Sequence, residues 1–348
     1  MPSGFGRHFL CELRIAEMFK SYPALAMDRS DQASSRDRHD KRADMLFHLV
    51  VKGCALLVLI ALLGAAFSML WGGREAFATF GWKFLWSSDW DAVQRKFGAL
   101  VPIYGTLVTA LIAMIIAVPV SFGIALFLTE IAPVWLRTPV AAAIELLAGI
   151  PSIIYGMWGL FVFVPFMAEH VDPWLDENLG ALPITGPLFQ GAPIGLGMLT
   201  AGIVLGIMVI PFVASIMREV FLTVPSEIKE SSYAIGSTTW EVVWDVVLPY
   251  TRSAVIGGIF LGLGRALGET MAVTFVLGNA HLLSASLLEP GNSIAATIAN
   301  EFTEADSPLY LSSLIALGFL LFAVTFIVLA VARLMLMRLA KRAGENRQ

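Results

Sequence analysis

Long apolar blocks alternate with short polar segments along most of the chain. Six blocks are nearly free of charge, and about 20 apolar residues are enough to cross a hydrocarbon core as an α-helix. The predicted transmembrane helices cover residues 53–71, 103–127, 140–167, 193–217, 254–278 and 309–332. This pattern predicts an all-α membrane protein with six transmembrane helices.

The polar segments predict the domain organisation. Residues 1–44 carry mixed charges without apolar periodicity, so they are predicted to be a disordered tail, in which Met27 is an alternative start site. Residues 45–338 form the membrane domain, and 339–348 form a second polar tail. Within the domain, residues 218–253 make an unusually long polar loop.

Lysine and arginine are concentrated on the cytoplasmic side of membrane proteins. Here they precede the first helix, occur in the 218–253 loop and follow the sixth helix, whereas residues 168–191 and 279–308 contain none. Both termini and the 218–253 loop are therefore predicted to be cytoplasmic. The segment between the first two helices does not fit this orientation, because it would be external yet contains the basic residues Arg74, Lys83, Arg95 and Lys96.

Composition narrows the possible functions. The chain is 57% hydrophobic and 14% charged, whereas soluble domains average about 25% charged residues. A net charge of −4 without a basic patch argues against nucleic-acid binding. Two cysteines and five histidines without ligand spacing argue against a disulfide framework or a metal site. The chain has no Gly-rich phosphate loop ending in Lys-Ser/Thr, so a partner must carry out any ATP hydrolysis.

The 218–253 loop has the pattern of two short helices joined at Gly236. Thr238 and Glu241 have the spacing of a capping box at the start of the second helix, and Pro249 is expected to end it. An apolar stripe follows at helical spacing, formed by Trp240, Val243, Trp244 and Val247. Such a loop either lies on the bilayer face or inserts into a groove of a partner.

The fifth predicted helix contains two opposite charges. Arg265 lies eleven residues after Ala254, about 16 Å along the helix and near the bilayer midplane, and Glu269 follows one turn later on the same face. A charge at that depth costs about 2.5–3.5 kcal/mol, so it marks a functional or paired site. Two interpretations remain open. The pair either forms a gated anion-binding step, in which Glu269 holds Arg265 when the path is empty, or joins helices as a self-neutralising ion pair.

Hydroxyl groups near these charges are further candidates for a substrate path. Pro151 interrupts the third predicted helix, so Ser152, Tyr155 and nearby carbonyls either line a cavity or surround a simple kink. Thr270 adds a hydroxyl beside Glu269. Two G-x3-G spacings, Gly258/Gly262 and Gly264/Gly268, permit close approach of another helix.

The spacing of residues in the loop resembles the EAA loop of ABC-importer permeases. Glu230-Ser-Ser is followed by Gly236 and then by Leu248-Pro249, with Ser231, Ser232 and Val246 in place of the family's Ala, Ala and Ile. In that family the loop docks into a cytoplasmic ATPase. The resemblance therefore implies an ATPase contact formed by Glu230, Gly236, Leu248 and Pro249.

Residues 46–345 as a whole resemble the PstC-type permeases of bacterial phosphate importers. The matching segments are Phe84–Asp91, Gly98–Thr106, Ile150–Trp158, Gly262–Phe275 and Ala299–Phe302. The resemblance implies the type I importer (MetI-like) fold in the cytoplasmic membrane. It also implies a PstA-type permease as heterodimer partner, a PstB-type ATPase dimer that uses ATP and Mg²⁺, and an external PstS-type phosphate-binding protein.

The resulting hypothesis is a translocation subunit for inorganic phosphate with no catalytic activity of its own and no bound cofactor. A permease for another oxyanion remains an alternative. A secondary anion transporter fits less well, because the two halves of the chain show no convincing inverted repeat. A membrane enzyme would need a nucleophile and base near the midplane, and a channel would need a ring of charges.

Overall fold

A computed structural model of the protein describes residues 23–183 and 185–345, with side chains described for 44–183, 185–335 and 337. The chain divides into two compact units, residues 1–65 and 66–348. Regular structure in the described residues is helical, and strand pairing there consists of isolated bridges between Asp91 and Lys96 and between Gly278 and Gly291.

The six helices long and apolar enough to cross a membrane are named the first to sixth spans. They are Asp44–Gly72, Leu100–Ile131, Ser152–Asn178, Met198–Leu222, Thr239–Leu267 and Pro308–Met335. Separate shorter helices cover Arg74–Phe80, Lys83–Trp86, Val134–Ala148, Gly186–Phe189, Ser226–Ala234, Met271–Val276 and Ile294–Glu301. Wider π-helical turns occur at Phe127–Ile131, Gly159–Phe163, Met167–Val171 and Val242–Val247. The predicted number of spans is confirmed.

The N-terminal unit contains the start of one long helix, Pro23–Gly72. This helix includes residues 23–44, for which the sequence predicted disorder. The segment between Pro23 and Gly53 contains neither glycine nor proline, so no residue in it interrupts the helix that leads into the first span. The remainder of the predicted tail, residues 1–22, lies outside the described residues.

Two predicted spans are interrupted in the structure. The helix predicted over 140–167 is interrupted at residues 149–151, so Val134–Ala148 is a separate helix and the third span begins at Ser152. The helix predicted over 254–278 ends at Leu267, and a short helix, Met271–Val276, follows the break. The apolar pattern continues across both breaks, but Pro151 lacks an N–H and Gly268 favours a helix end.

Close packing of the second and fourth spans forms the main core. The Ser121 hydroxyl of the second span donates to the Ile210 carbonyl at 3.0 Å. A Cβ on Gly202 of the fourth span would lie 2.6 Å from the Ile112 side chain, so only glycine permits this approach. The fifth span joins them at the predicted Gly258/Gly262 spacing, where added Cβ atoms would meet Ile216 at 2.9 Å and Val213 at 2.5 Å.

The second span is also fixed at its opposite end, near Leu100. The Thr106 hydroxyl accepts the Ile294 N–H at 3.0 Å, and the backbone at Gly105 lies against the Asn292 carbonyl. An aromatic and aliphatic cluster closes this end of the unit. Its largest buried members are Phe84, Phe97, Ile294, Leu314 and Leu317.

Gly105→Ala is expected to destabilise the protein by about 1–3 kcal/mol, because the added methyl group overlaps the Asn292 carbonyl. Gly123→Ala is the matched control in the same helix, since an added Cβ meets no atom within 4 Å there. Thermal unfolding of the purified protein in detergent measures both variants. Equal melting temperatures for the two variants would contradict the close approach at Gly105.

Candidate functional site

The two broken helices lie side by side within the larger unit. Gly156 of the third span packs against the helix Met271–Val276, and an added Cβ there would lie 3.0 Å from the Met271 carbonyl oxygen. The Tyr155 hydroxyl donates to the Leu147 carbonyl at 3.1 Å, which bridges the break at residues 149–151. The backbone N–H and C=O groups that lose their helical partners at the two breaks therefore lie in the same region of the protein.

Arg265 lies in the last turn of the fifth span, directly before its break. Its guanidinium carbon is 5.0 Å from the centre of the Phe212 ring, so the cation faces an aromatic surface. The Arg265 Nε atom is buried and has no hydrogen-bond partner among the described residues. A guanidinium whose buried Nε is an unused donor is a suitable group to bind an anion.

Glu269 does not follow Arg265 on a continuous helix, so that prediction is wrong. The helix ends at Leu267, and Glu269 and Thr270 lie in the break before Met271. The ion pairs in the described part of the chain involve other residues, and none joins Arg265 to Glu269. Both Glu269 and Thr270 are half-buried.

Ser152 lies in the first turn of the third span and is half-buried like Tyr155. Glu269 and Thr270 follow Arg265 along the chain, and Ser152 and Tyr155 lie on the third span, which packs against the helix that follows the break. The hydrogen bonds of the described residues do not link the Ser152 or Thr270 side chains to Arg265. Among the described residues, His, Cys, Asp and Glu form no group of three that could hold a metal ion.

The 218–253 loop contains the second candidate site. The helix Ser226–Ala234 presents Glu230 to solvent, and Gly236 turns the chain with φ of +96°, a conformation that strains other residues. The predicted capping box is confirmed, because Thr238 and Glu241 exchange hydrogen bonds. Ile235 and Trp240 are 85% and 64% exposed, so the tip of the loop is an apolar surface.

Pro249 does not end the second loop helix, contrary to the prediction. Thr239–Glu241, the π turn Val242–Val247 and the helix beginning at Leu248 form one continuous fifth span. The wider π turn accommodates the proline ring and its missing N–H. Leu248 is half-buried and Pro249 is exposed at this junction. Within the predicted stripe, Val243 and Val247 are buried, whereas Trp240 and Trp244 are exposed and pack edge to face.

Sequence reasoning missed an ion pair between the loop and the second span. Lys229 Nζ lies 2.6 Å from Glu130 Oε1, and the two side chains are 15% and 7% exposed. The sequence offers one indication of Glu130, which is the first charged residue after the uncharged segment that ends at Thr129. That position marks the end of a span but does not identify Lys229 as the partner.

A second missed cluster surrounds Glu301, at the same end of the second span as Gly105. Trp90 Nε1 and the Tyr310 hydroxyl donate to Glu301 Oε2 at 2.7 and 2.6 Å, and His281 Nε2 lies 2.6 Å from Glu301 Oε1. Burial alone would raise the pKa of Glu301, but the hydrogen bonds from His281, Tyr310 and Trp90 outweigh it and lower that pKa. The cluster joins segments that are far apart in sequence.

The fold and the loop match a known family of transporters. A family model described as the binding-protein-dependent transport system inner membrane component matches residues 121–341, more than half of the chain. The crystal structure of a bacterial alginate ABC transporter, in complex with an alginate-bound periplasmic protein, aligns at a TM-score of 0.56 and 16% identity. The alignment covers 87% of this chain and 97% of that one. This likeness supports the type I permease fold.

Closer relatives identify the branch of the family. The phosphate transport system permease protein PstC of Xylella fastidiosa (strain 9a5c) is 65% identical over 309 residues, which cover 89% of this chain and 95% of the relative. The protein of the same name from Pasteurella multocida (strain Pm70) is 55% identical over 318 residues, covering 91% and 99%. The chain therefore belongs to the binding-protein-dependent transport permeases, in their PstC-type branch. It is a multi-pass inner-membrane protein.

The stability of the protein is expected to fall as the pH drops through the lowered pKa of Glu301. A group with a depressed folded-state pKa contributes stability above its unfolded-state pKa, about 4.3 for glutamate, and loses that contribution below it. Melting temperatures of wild type and Glu301→Gln, measured from neutral pH down to below about pH 4, test this. The difference between the two proteins should shrink toward acid, and a difference independent of pH would contradict the role of the carboxylate.

Proposed function

We propose that this chain is the permease subunit of an ATP-driven importer that carries inorganic phosphate into the cytoplasm. The structural observation that carries the substrate path is the half-buried Arg265, whose buried Nε has no partner among the described residues, beside two broken helices. Family membership supports the transporter class, and the names of its relatives support phosphate as the substrate. A permease for another oxyanion is the second candidate, because a guanidinium binds any tetrahedral oxyanion through the same donors.

Arg265 attracts phosphate oxygens in this proposal. Its planar guanidinium donates two parallel hydrogen bonds and stays charged in a low-dielectric environment. The Phe212 ring holds the cation while the path is empty, since the structure shows this contact and no Glu269 ion pair. Glu269 approaches Arg265 only when the break rearranges, and its charge then favours release of the anion. Tyr155, Ser152 and Thr270 supply hydroxyl contacts nearby.

The 218–253 loop is the contact for the ATPase. An exposed apolar tip is unusual on a solvent-facing loop and is typical of a protein interaction site. Glu230 and Gly236 stand at this tip, with Ile235 and Trp240 exposed around them. Leu248 and Pro249 form the junction through which the loop continues into the fifth span.

The proposed complex contains a PstA-type permease, a PstB-type ATPase dimer and an external PstS-type phosphate-binding protein. Both termini and the 218–253 loop face the cytoplasm, which places Glu301 and its cluster on the external side. The partner ATPase binds ATP and Mg²⁺, and this chain binds no cofactor. Phosphate uptake by the complex reconstituted in vesicles, with sulfate and arsenate as competitors, tests the proposal. Competition by sulfate as strong as that by unlabelled phosphate would favour the broader oxyanion permease.

Arg265→Gln is expected to abolish ATP-driven uptake while membrane insertion and assembly with the ATPase remain normal. The double variant Arg265→Gln/Glu269→Gln separates the two interpretations of these charges. An anion-binding Arg265 predicts that the double variant stays inactive, whereas an ion pair that merely joins helices predicts recovery once both charges are gone. Arg333→Gln, at an exposed cation of the sixth span, is the control and should transport normally.

Gly236→Trp is expected to uncouple ATP hydrolysis from uptake, because it strains a backbone with positive φ and adds bulk at the proposed contact. Gly236→Ala introduces similar backbone strain with little bulk, since a Cβ there meets no atom within 4 Å. Binding of the purified permease to the ATPase and uptake by the complex measure both effects. Full ATP-driven uptake by a normally inserted Gly236→Trp variant would rule out docking at this turn.

A further inference from the structure

The helix Ser226–Ala234 has few attachments to the rest of the protein. None of its residues is fully buried, and it packs against the π turn Val242–Val247 of its own loop. Its remaining side-chain hydrogen bonds stay within residues 226–238, between Ser231 and Glu227 and between Ser232 and Ser237. Among the described residues, the Lys229–Glu130 ion pair is therefore the one side-chain hydrogen bond that joins this helix to a membrane span, the second.

The ion pair is enclosed at the protein side of the helix. Lys229 turns inward while its neighbour Glu230 faces solvent, because successive helical residues point about 100° apart. The pair lies at the edge of a cleft of about 800 Å³, which Arg137 and Thr129 also line. The Arg137 Nε atom is already engaged with the Ala132 carbonyl at 2.8 Å. Glu227 and Glu230 line the same cleft, and the 2.6 Å contact pairs the Lys229 charge with Glu130.

Glu130 lies in the π turn that ends the second span. From there the span runs through the main core, where Ser121 binds the Ile210 carbonyl, to Gly105 and Thr106 at its far end. The far end contacts Asn292 and Ile294, and Asn292 Nδ2 lies 3.1 Å from His281 Nε2 in the Glu301 cluster. One helix thus connects the loop on one side with the His281–Glu301 cluster on the other.

We propose that the Lys229–Glu130 ion pair transmits movement of the ATPase-docked loop to the second span and, through it, to the external end of the permease. This inference rests on the proposed function, because it assumes that the loop docks the ATPase. Lys229 and Glu130 are positioning residues that contact neither phosphate nor nucleotide. A nearly buried charge left without its partner is strongly unfavourable. The Lys229 and Glu130 side chains therefore stay together as the loop moves.

A static attachment and a transmitting one differ in what they change. Loss of a static attachment lowers stability or releases the ATPase, and each ATP hydrolysed still drives the same uptake. Loss of a transmitting attachment leaves the ATPase bound and active while less phosphate is carried per ATP. The ratio of uptake to hydrolysis therefore separates the two roles.

The test uses the complete complex reconstituted in vesicles, with Lys229→Met and Glu130→Gln measured separately. Each variant is expected to retain the bound ATPase and to lose about tenfold in phosphate carried per ATP, as for loss of one strongly coupled contact. The exchanged pair, Lys229→Glu with Glu130→Lys, should restore most of the ratio because opposite charges face each other again. Arg333→Gln removes an exposed cation of the sixth span, outside the 218–253 loop, and should leave the ratio unchanged.

Three results would overturn the inference: an unchanged ratio in both single variants, release of the ATPase from either, or no recovery in the exchanged pair. If Lys229→Met fails to insert, Lys229→Arg keeps the charge and is expected to retain most of the ratio, and a loss of tenfold in that variant would also contradict transmission. A wild-type complex without ATP-driven phosphate uptake would instead contradict the proposed function. Normal wild-type transport with an unaffected Lys229→Met variant contradicts only the role of the ion pair.

Discussion

The structure depends on the close contact between the second and fourth spans. Lipid tails are as apolar as the side chains of these helices, so association in a membrane requires tight packing and interhelical hydrogen bonds. Gly202 and Gly206 let the two backbones approach, with Ile112 and Ala113 filling the space that side chains would occupy. The second span is thereby held in the core along most of its length.

The two helix breaks follow from a second property of the bilayer. Its interior offers no hydrogen-bond partners, so irregular backbone is stable there only when it lies within protein or lines a polar cavity. The breaks before Ser152 and after Leu267 occur on helices that pack together, and Tyr155 satisfies one of the exposed carbonyls. Arg265 stands beside these polar groups and the Phe212 ring, which lowers the cost of burying its charge.

The two ends of the second span are held by different chemistry. One end carries Glu130, which forms a nearly buried ion pair with Lys229 of the helix Ser226–Ala234. The other end contacts the segment around Asn292, which leads to the Glu301 carboxylate and its aromatic and imidazole donors. Buried ion pairs contribute little net stability, because desolvation offsets most of their attraction. A single ion pair between a helix without buried residues and a well-packed span is thus better suited to transmitting motion than to stabilising the fold.

The number of spans and the capping box at Thr238 could be predicted from the sequence. The bilayer imposes helix length whichever helices become neighbours, and a capping box forms within four residues. The outcome at Pro151 and Gly268 could not be predicted, because the apolar pattern continues across both positions. Surrounding helices decide whether such a residue bends a helix or ends it. Likewise, Lys229 and Glu130 are 99 positions apart, and Trp90 and Glu301 are 211 apart. No local pattern links residues at those separations, so only the packing of the helices brings them together.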